Sequence, residues 1–382
     1  MNDAPLIYLI AGEPSGDLLG GRLMAALTRE TGGAVRFAGI GGDRMAEQGL
    51  QSLVPISELA VMGFAEVLPH ARHILKRIKQ TVADIRARRP DIVVTIDSSG
   101  FTWRVARLLR EAGDRTKLVH VVAPMVWAWR PHRALEIARW YDRLLVLLPF
   151  EPPYFDKVGL ACTFIGHPVI ESGADRGDGA AFRARRGIAP EATLLMVLPG
   201  SRRGEVSRLL PAFGAAVALL ARRDPNLRLV IPTLRHVAAS VRAAAWPVAP
   251  IIVESETEKY DAFAASNAAL AASGTVALEL AMAHLPSVIA YRISPLTHVV
   301  VRRMVKVKYA NLVNLLLDRP AVPELIQALC TPERLAGAVA HLLADQGARA
   351  AQMAAYDAAL GMLGRDGEPP SRRAAKQILA ML

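Results

Sequence analysis

Three places in this sequence put chemistry-bearing residues where a strand hands over to a helix. The first is Leu198-Pro199-Gly200-Ser201-Arg202-Arg203-Gly204-Glu205. An apolar run at 194–197 precedes it, and apolar positions at Val206, Leu209, Leu210, Phe213, Val217 and Leu220 follow at helical spacing. A glycine turn at a helix N-terminus offers backbone N–H groups and the positive end of the helix dipole, which suits phosphate. Arg202 and Arg203 add charge that can grip diphosphate oxygens bidentately. An ordinary strand–helix turn with solvated arginines reads equally well from this stretch alone.

The second place repeats the pattern. A short strand at 268–272 ends in Ser273-Gly274-Thr275, and Glu279 stands about one helical turn beyond. Two small-residue turns in one half of the chain favour an anion site, with Glu279 placed for ribose hydroxyls. The third is Asp97, at the end of the strand 91–96 and before Ser98-Ser99-Gly100. Ligands of doubly wound sheets gather at the carboxyl ends of strands. A carboxylate there can take a proton from a substrate hydroxyl, or merely cap the helix 102–112.

These residues need a scaffold, and the pattern supplies one. Strands are predicted at 6–11, 35–40, 91–96, 118–122 and 144–148, then at 194–198, 227–231, 251–253, 268–272 and 287–290, with helical segments between them. Two successive strand–turn–helix series predict two similar α/β domains. Their expected bounds are 1–170, completed by C-terminal helices in 351–382, and 193–350. The Gly- and Arg-rich stretch 171–192 is expected to link them. The turn after the first strand, Gly12-Glu13-Pro14-Ser15-Gly16-Asp17, lacks the G-x-G-x-x-G spacing, so a dinucleotide site gains little.

A chain of 382 residues with 52% hydrophobic content can bury two cores. Its two cysteines, Cys162 and Cys330, form neither a disulfide framework nor a zinc pattern. No signal-type start is read, which predicts no export. The formal charge of +11 favours anionic partners: phosphorylated small molecules, an acidic membrane surface or nucleic acid. Nucleic acid ranks last, because only 5% of residues are aromatic and RNA-binding signatures are missing.

Residues 61–69 are unusually apolar for a connection, and Ala71, Ile74, Ile78, Val82 and Ile85 follow on one helix face. Arg72, Lys76, Lys79 and Arg86 lie off that face. An amphipathic core helix is the plainer reading, and a membrane-facing or acyl-binding surface the functional one. The basic, apolar stretch 299–308 carries the same two readings. Trp127 and Trp129, beside Arg130, read as core rings or as sugar or acyl contacts.

Taken together, the motifs resemble the lipid-A-disaccharide synthase family of glycosyltransferases. The stretches that carry the resemblance are Ala11-Gly12-Glu13-Pro14-Ser15-Gly16-Asp17, Val61-Met62-Gly63, Val126-Trp127-Ala128-Trp129-Arg130, Leu148-Pro149-Phe150-Glu151, Phe164-Ile165-Gly166-His167, Leu198-Pro199-Gly200-Ser201-Arg202, Ala272-Ser273-Gly274-Thr275 with Glu279, and 311–316. The resemblance implies a GT-B fold of two Rossmann-like domains with parallel sheets facing across a cleft. It implies an inverting, metal-independent transfer from UDP-2,3-diacylglucosamine to 2,3-diacylglucosamine 1-phosphate, with no cofactor. Asp97 maps onto the general base. Gly200, Ser201, Arg202, Ser273, Gly274 and Thr275 map onto the diphosphate site, and Glu279 onto the ribose contact. Glu13, Ser15, Met62, Trp127, Arg130 and Asn314 map onto further substrate contacts. One departure is Ser98-Ser99-Gly100-Phe101-Thr102, where a second acidic residue and an Asn often occur.

Lipid substrates imply a cytoplasmic protein held peripherally at the inner face of the inner membrane, with a homo-oligomer left open. Two other readings compete. A sugar-nucleotide epimerase on the same fold would use the UDP site but would not need the apolar 61–69 segment and basic patches. A two-domain binding protein would not need Asp97 at a strand end.

Overall fold

The computed structural model describes residues 4–59, 64–294 and 307–382, and of 64–71 only the helical backbone. Met62, the start of the apolar 61–69 segment and residues 299–306 of the basic stretch therefore lie outside the described residues. The chain separates into two compact units, Met1–Pro168 with Leu363–Leu382, and Val169–Met362.

In the first unit six strands run parallel: β1 (Leu6–Ala11), β2 (Arg36–Ile40), β3 (Ile92–Ile96), β4 (Lys117–Val121), β5 (Arg143–Val146) and β6 (Ala161–Phe164). Their order is β2-β1-β3-β4-β5-β6. The inner strands are mostly apolar because helices cover both sheet faces, with Thr95 and His120 as buried polar exceptions. Successive residues of β1 point to opposite sides. Ile7 and Leu9 pack with Met24 and Leu27 of the helix Pro14–Glu30. Tyr8 and Ile10 share the other core with Ile78 and Ile85 of the helix Phe64–Arg88. On that helix Ile74 and Val82 also pack inward, whereas Arg72, Lys76, Lys79 and Arg86 are exposed. The C-terminal helix Pro370–Leu379 closes the first core with Ala374, Ala375 and Ile378.

The second unit repeats the plan with β7 (Leu194–Leu198), β8 (Arg228–Pro232), β9 (Pro250–Val253), β10 (Ala268–Ala272), β11 (Ser287–Tyr291) and β12 (Glu324–Ile326). The order is β12-β11-β10-β7-β8-β9, all pairs parallel. In both sheets the chain first winds outward and then returns to the far side of its starting strand. The reversal lies between β1 and β3 in the first unit and between β7 and β10 in the second. Such switch points open a crevice at the strand carboxyl ends.

Two boundaries differ from the sequence expectation. The stretch 171–192 is not a free linker: it holds the helix Gly179–Arg185, capped by Asp178, whose own N–H donates to Asp261. Arg183 ties it down by donating to the carbonyls of Ala265, Ala189 and Ala192 and to Asn267. The segment returning to the first unit starts at Leu363, not near 351. Gln352 and Tyr356, on the helix Gln346–Met362, are buried in the second unit, where both hydrogen-bond Ser287 at the start of β11. Edge strands β6 and β12 are additional. Finally, the helix Arg203–Ala221 has the length and apolarity of a membrane span. Its Val206, Leu209, Phe213 and Val217 are fully buried in the second core, so that apolarity serves packing.

Candidate active site

At the switch point of the second unit, the turns after β7 and β10 come together around a cavity of about 380 Å³. Gly200, Ser201, Ser273, Gly274, Thr275 and Glu279 all line it. Gly200 has φ 115°, which a side chain rarely adopts, and a Cβ there would meet Glu205 at 3.0 Å. Glycine is therefore required for the chain to turn this tightly into the helix.

The charges around the cavity are less simple than an anion site suggests. Glu205, Glu254, Glu256 and Glu279 line it, and Lys259 is the one cation among the described lining residues. Glu205, Glu254 and Glu279 each have a basic partner. Glu205 accepts from the side chain and backbone N–H of Arg202, each at 3.3 Å. Glu254 pairs with Arg242, and Glu279 with Lys259 at 3.0 Å. Arg202 itself is outside the cavity lining, its side chain 67% exposed. To face the cavity, Arg202 would have to leave Glu205. That exposed pair is weak enough to exchange. The sequence does not single out Lys259, because the acidic run Glu254-Ser255-Glu256-Thr257-Glu258 beside it reads as a solvated helix start.

Asn314 is placed otherwise. It is fully buried, and its amide is spent on Val322 in both directions and on Glu324. It braces the chain leading into β12 and does not line the cavity.

The first unit has its own switch-point residues. Asp97 follows β3 with φ 50° and Ser98 with φ 47°, two consecutive left-handed residues that are not glycine. Such strain gathers at functional positions. The Ser98 N–H donates to Oδ1 of Asp97 at 2.8 Å, the one hydrogen bond to this carboxylate among the described residues. Burial raises the Asp97 pKa above the ordinary carboxylate value, opposed by that bond. A carboxylate so placed, with Oδ2 unspent, is equipped to accept a proton. Gly12, at the end of β1, lies against Ser98: a Cβ there would come within 2.3 Å of the Ser98 hydroxyl.

Beneath this corner Thr95 bonds the ring of His120 at 2.7 Å and the Tyr141 hydroxyl at 3.0 Å, while Trp103 Nε1 donates to His120 at 3.3 Å. Burial lowers the His120 pKa to about 3, so the ring stays neutral and structural. Glu13 and the exposed Ser15 stand at the start of the helix Pro14–Glu30. Trp127 packs edge-on to Phe150 at 5.3 Å and donates to buried Glu151 at 3.1 Å. Arg130 is exposed and lies over the Trp129 ring at 4.4 Å. Asp97 and the cavity residues are thus on separate units, and each set is ordered by its own sheet. Among the described residues no group of three His, Cys, Asp or Glu side chains converges as a metal site.

Comparison with known proteins adds to this geometry. The model of the lipid-A-disaccharide synthetase family matches residues 7–378. The lipid-A-disaccharide synthase of Rhodospirillum centenum is 59% identical over 379 residues, covering 99% of this chain and 94% of its own. That of Paramagnetospirillum magneticum is 54% identical, covering 98% and 97%. Among solved structures, UDP-GlcNAc 2-epimerase from Neisseria meningitidis bound to UDP-GlcNAc has a TM-score of 0.65 at 11% identity, covering 98% of each chain. The last likeness concerns the fold alone.

Proposed function

Because the chain belongs to the lipid-A-disaccharide synthetase family, we propose that it joins UDP-2,3-diacylglucosamine to 2,3-diacylglucosamine 1-phosphate. The products are the β-1,6 disaccharide 1-phosphate and UDP. The observation that carries this reading is the match over residues 7–378, together with 59% identity across nearly the whole chain. The enzyme is a hexosyltransferase.

The residues divide the labour by chemistry. In the second unit the turns at Gly200-Ser201 and Ser273-Gly274-Thr275 bind the diphosphate, with Arg202 recruited from Glu205 to meet the charge that builds on departing UDP. Glu279 takes the ribose. In the first unit Asp97 removes the proton from the acceptor hydroxyl as its oxygen attacks the anomeric carbon. The C–O bond to the diphosphate breaks on the opposite face, which inverts the centre. Arginine and turn N–H groups supply the leaving-group stabilisation, so the step runs without metal. Glu13, Ser15, Met62, Trp127 and Arg130 contribute acceptor contacts, and Asn314 acts only through the segment it braces. Anchored acyl chains place the protein against an anionic bilayer surface, where exposed Arg72, Lys76, Lys79 and Arg86 meet phosphate head groups.

The test is an assay of purified protein with the UDP-linked donor, with and without the phosphorylated diacyl acceptor. UDP release that requires the acceptor and yields disaccharide supports the transferase. Conversion of the donor without any acceptor supports an epimerase instead.

A further inference from the structure

Lys259 lines the cavity of the second unit, on the helix Glu256–Ala265. Its ammonium donates to both carboxylate oxygens of Glu279, at 3.2 and 3.0 Å. The same nitrogen lies 4.6 Å from the ring centre of Tyr260 and 5.8 Å from that of Phe263. Two aromatic faces and a carboxylate hold the charge from three sides. The side chains of Lys259 and Glu279 are 21% and 23% exposed, so the pair meets the cavity more than bulk water.

We propose that Lys259 is a positioning residue for donor recognition: it holds the Glu279 carboxylate aimed so that its remaining lone pairs accept the ribose hydroxyls of the nucleotide. The inference rests on the reading that the second unit binds UDP. A carboxylate offers about four lone-pair sites over its two oxygens. The ammonium uses one on each oxygen, and the Tyr260 hydroxyl adds a long contact to Oε1 at 3.5 Å, so Oε2 keeps an open site and Oε1 one that only a weak bond holds, a spacing that suits two neighbouring hydroxyls. Glu279 also shares its cavity with Glu205, Glu254 and Glu256 and, on binding, with a diphosphate. Without the ammonium its charge would be repelled from the wall it must occupy. The competing view is a staple between the helices Glu256–Ala265 and Val276–Met282, which would help folding and be indifferent to the ligand's sugar.

The experiment is a calorimetric titration of full-length wild type, Lys259→Met and Lys259→Arg with UDP and with 2′-deoxy-UDP. Wild type is expected to prefer UDP about tenfold, the size of one charge-assisted hydrogen bond. In Lys259→Met the UDP affinity should fall about tenfold and the 2′-deoxy-UDP affinity hardly at all, so the preference collapses. Lys259→Arg, which keeps a donor to Glu279, should restore most of it. Equal weakening of both nucleotides would mean that Lys259 touches phosphate, and unchanged UDP affinity would leave only the staple. Either result overturns the proposal. If Lys259→Met does not fold, Lys259→Gln takes the same measurement. A wild type that binds neither nucleotide removes the UDP-site reading itself, which the variants cannot do.

Discussion

The Ser98 N–H donates to Oδ1 of Asp97 at 2.8 Å while both residues hold left-handed backbone, with φ of 47° and 50°. Each such residue costs about 1–2 kcal/mol when it is not glycine. The conformation persists because its surroundings impose it. The Asp97 N–H is held by the Val121 carbonyl at 2.9 Å, and the Asp97 carbonyl accepts from the Thr102 hydroxyl at 2.8 Å. Local strain fixes where the carboxylate points, at the switch point of its sheet.

That arrangement makes Asp97 costly to stability. Burial raises its pKa, so the stability it contributes is complete below the ordinary carboxylate range and lost as pH rises through the folded-state value. Asp97→Asn should therefore be more thermally stable than wild type at neutral pH, with an advantage that shrinks toward about pH 4. Asparagine also tolerates the left-handed backbone. Thermal melts across pH check this, and a variant less stable at neutral pH contradicts it.

Gly12 and Ser98 should behave as a coupled pair. A Cβ at position 12 would lie 2.3 Å from the Ser98 hydroxyl and 2.8 Å from its Cβ. Gly12→Ala should cost about 1–3 kcal/mol through overpacking and depress transfer. Adding Ser98→Gly removes the obstructing atoms and should recover most of the loss. Urea unfolding of both single variants and the double variant measures the coupling, and additive losses would count against it.

Glu151 is predicted to make stability pH-dependent near neutrality. It is 3% exposed, and burial pushes its carboxyl up to about 7 against opposing bonds from Leu148, Trp127 and Leu147. With a raised folded-state value, its contribution is complete below about pH 4.5 and lost as pH rises through about 7. Relative to Glu151→Gln, wild type should lose up to about 3 kcal/mol over that window and stay level above it. Urea midpoints at about pH 5 and about pH 8 give the difference, and an equal gap at both pH values refutes the assignment.

Arg202 should matter to ligand and hardly to folding. Its pair with Glu205 is surface-exposed on the arginine side, where such pairs contribute about 0–1 kcal/mol. Arg202→Ala should raise the donor KM about 10-fold or more, as expected for a charge-assisted contact to phosphate, with the thermal midpoint almost unchanged. Adding a chelator to wild type should leave the rate as it was. Strong suppression by chelator would contradict the metal-free step.

Much of the fold was legible because buried parallel strands are short apolar runs, and ten of them stand out between turn residues. The two that do not, β6 and β12, are sheet edges with half-buried residues such as Thr163 and Glu324, so their pattern is weak. The stretch 171–192 looked like a linker from its glycines and arginines, yet Arg183 spends its guanidinium on backbone carbonyls and Asn267, a use that composition does not reveal. At the site, glycine turns and a strand-end aspartate announce themselves. Lys259 does not, because its meaning comes from Glu279, twenty positions away and reached only through the fold. Asn314 shows the reverse: its motif suggests a ligand contact, while its amide is consumed by Val322 and Glu324.

The central claim is that Asp97 drives the transfer while a different unit of the chain binds the donor nucleotide. The direct measurement pairs UDP titration with a disaccharide-forming assay on Asp97→Asn. The account predicts UDP affinity equal to wild type and a transfer rate lower by about 10²–10⁴, the contribution of a general base. Undiminished transfer, or a loss of UDP binding in step with the rate, would contradict it.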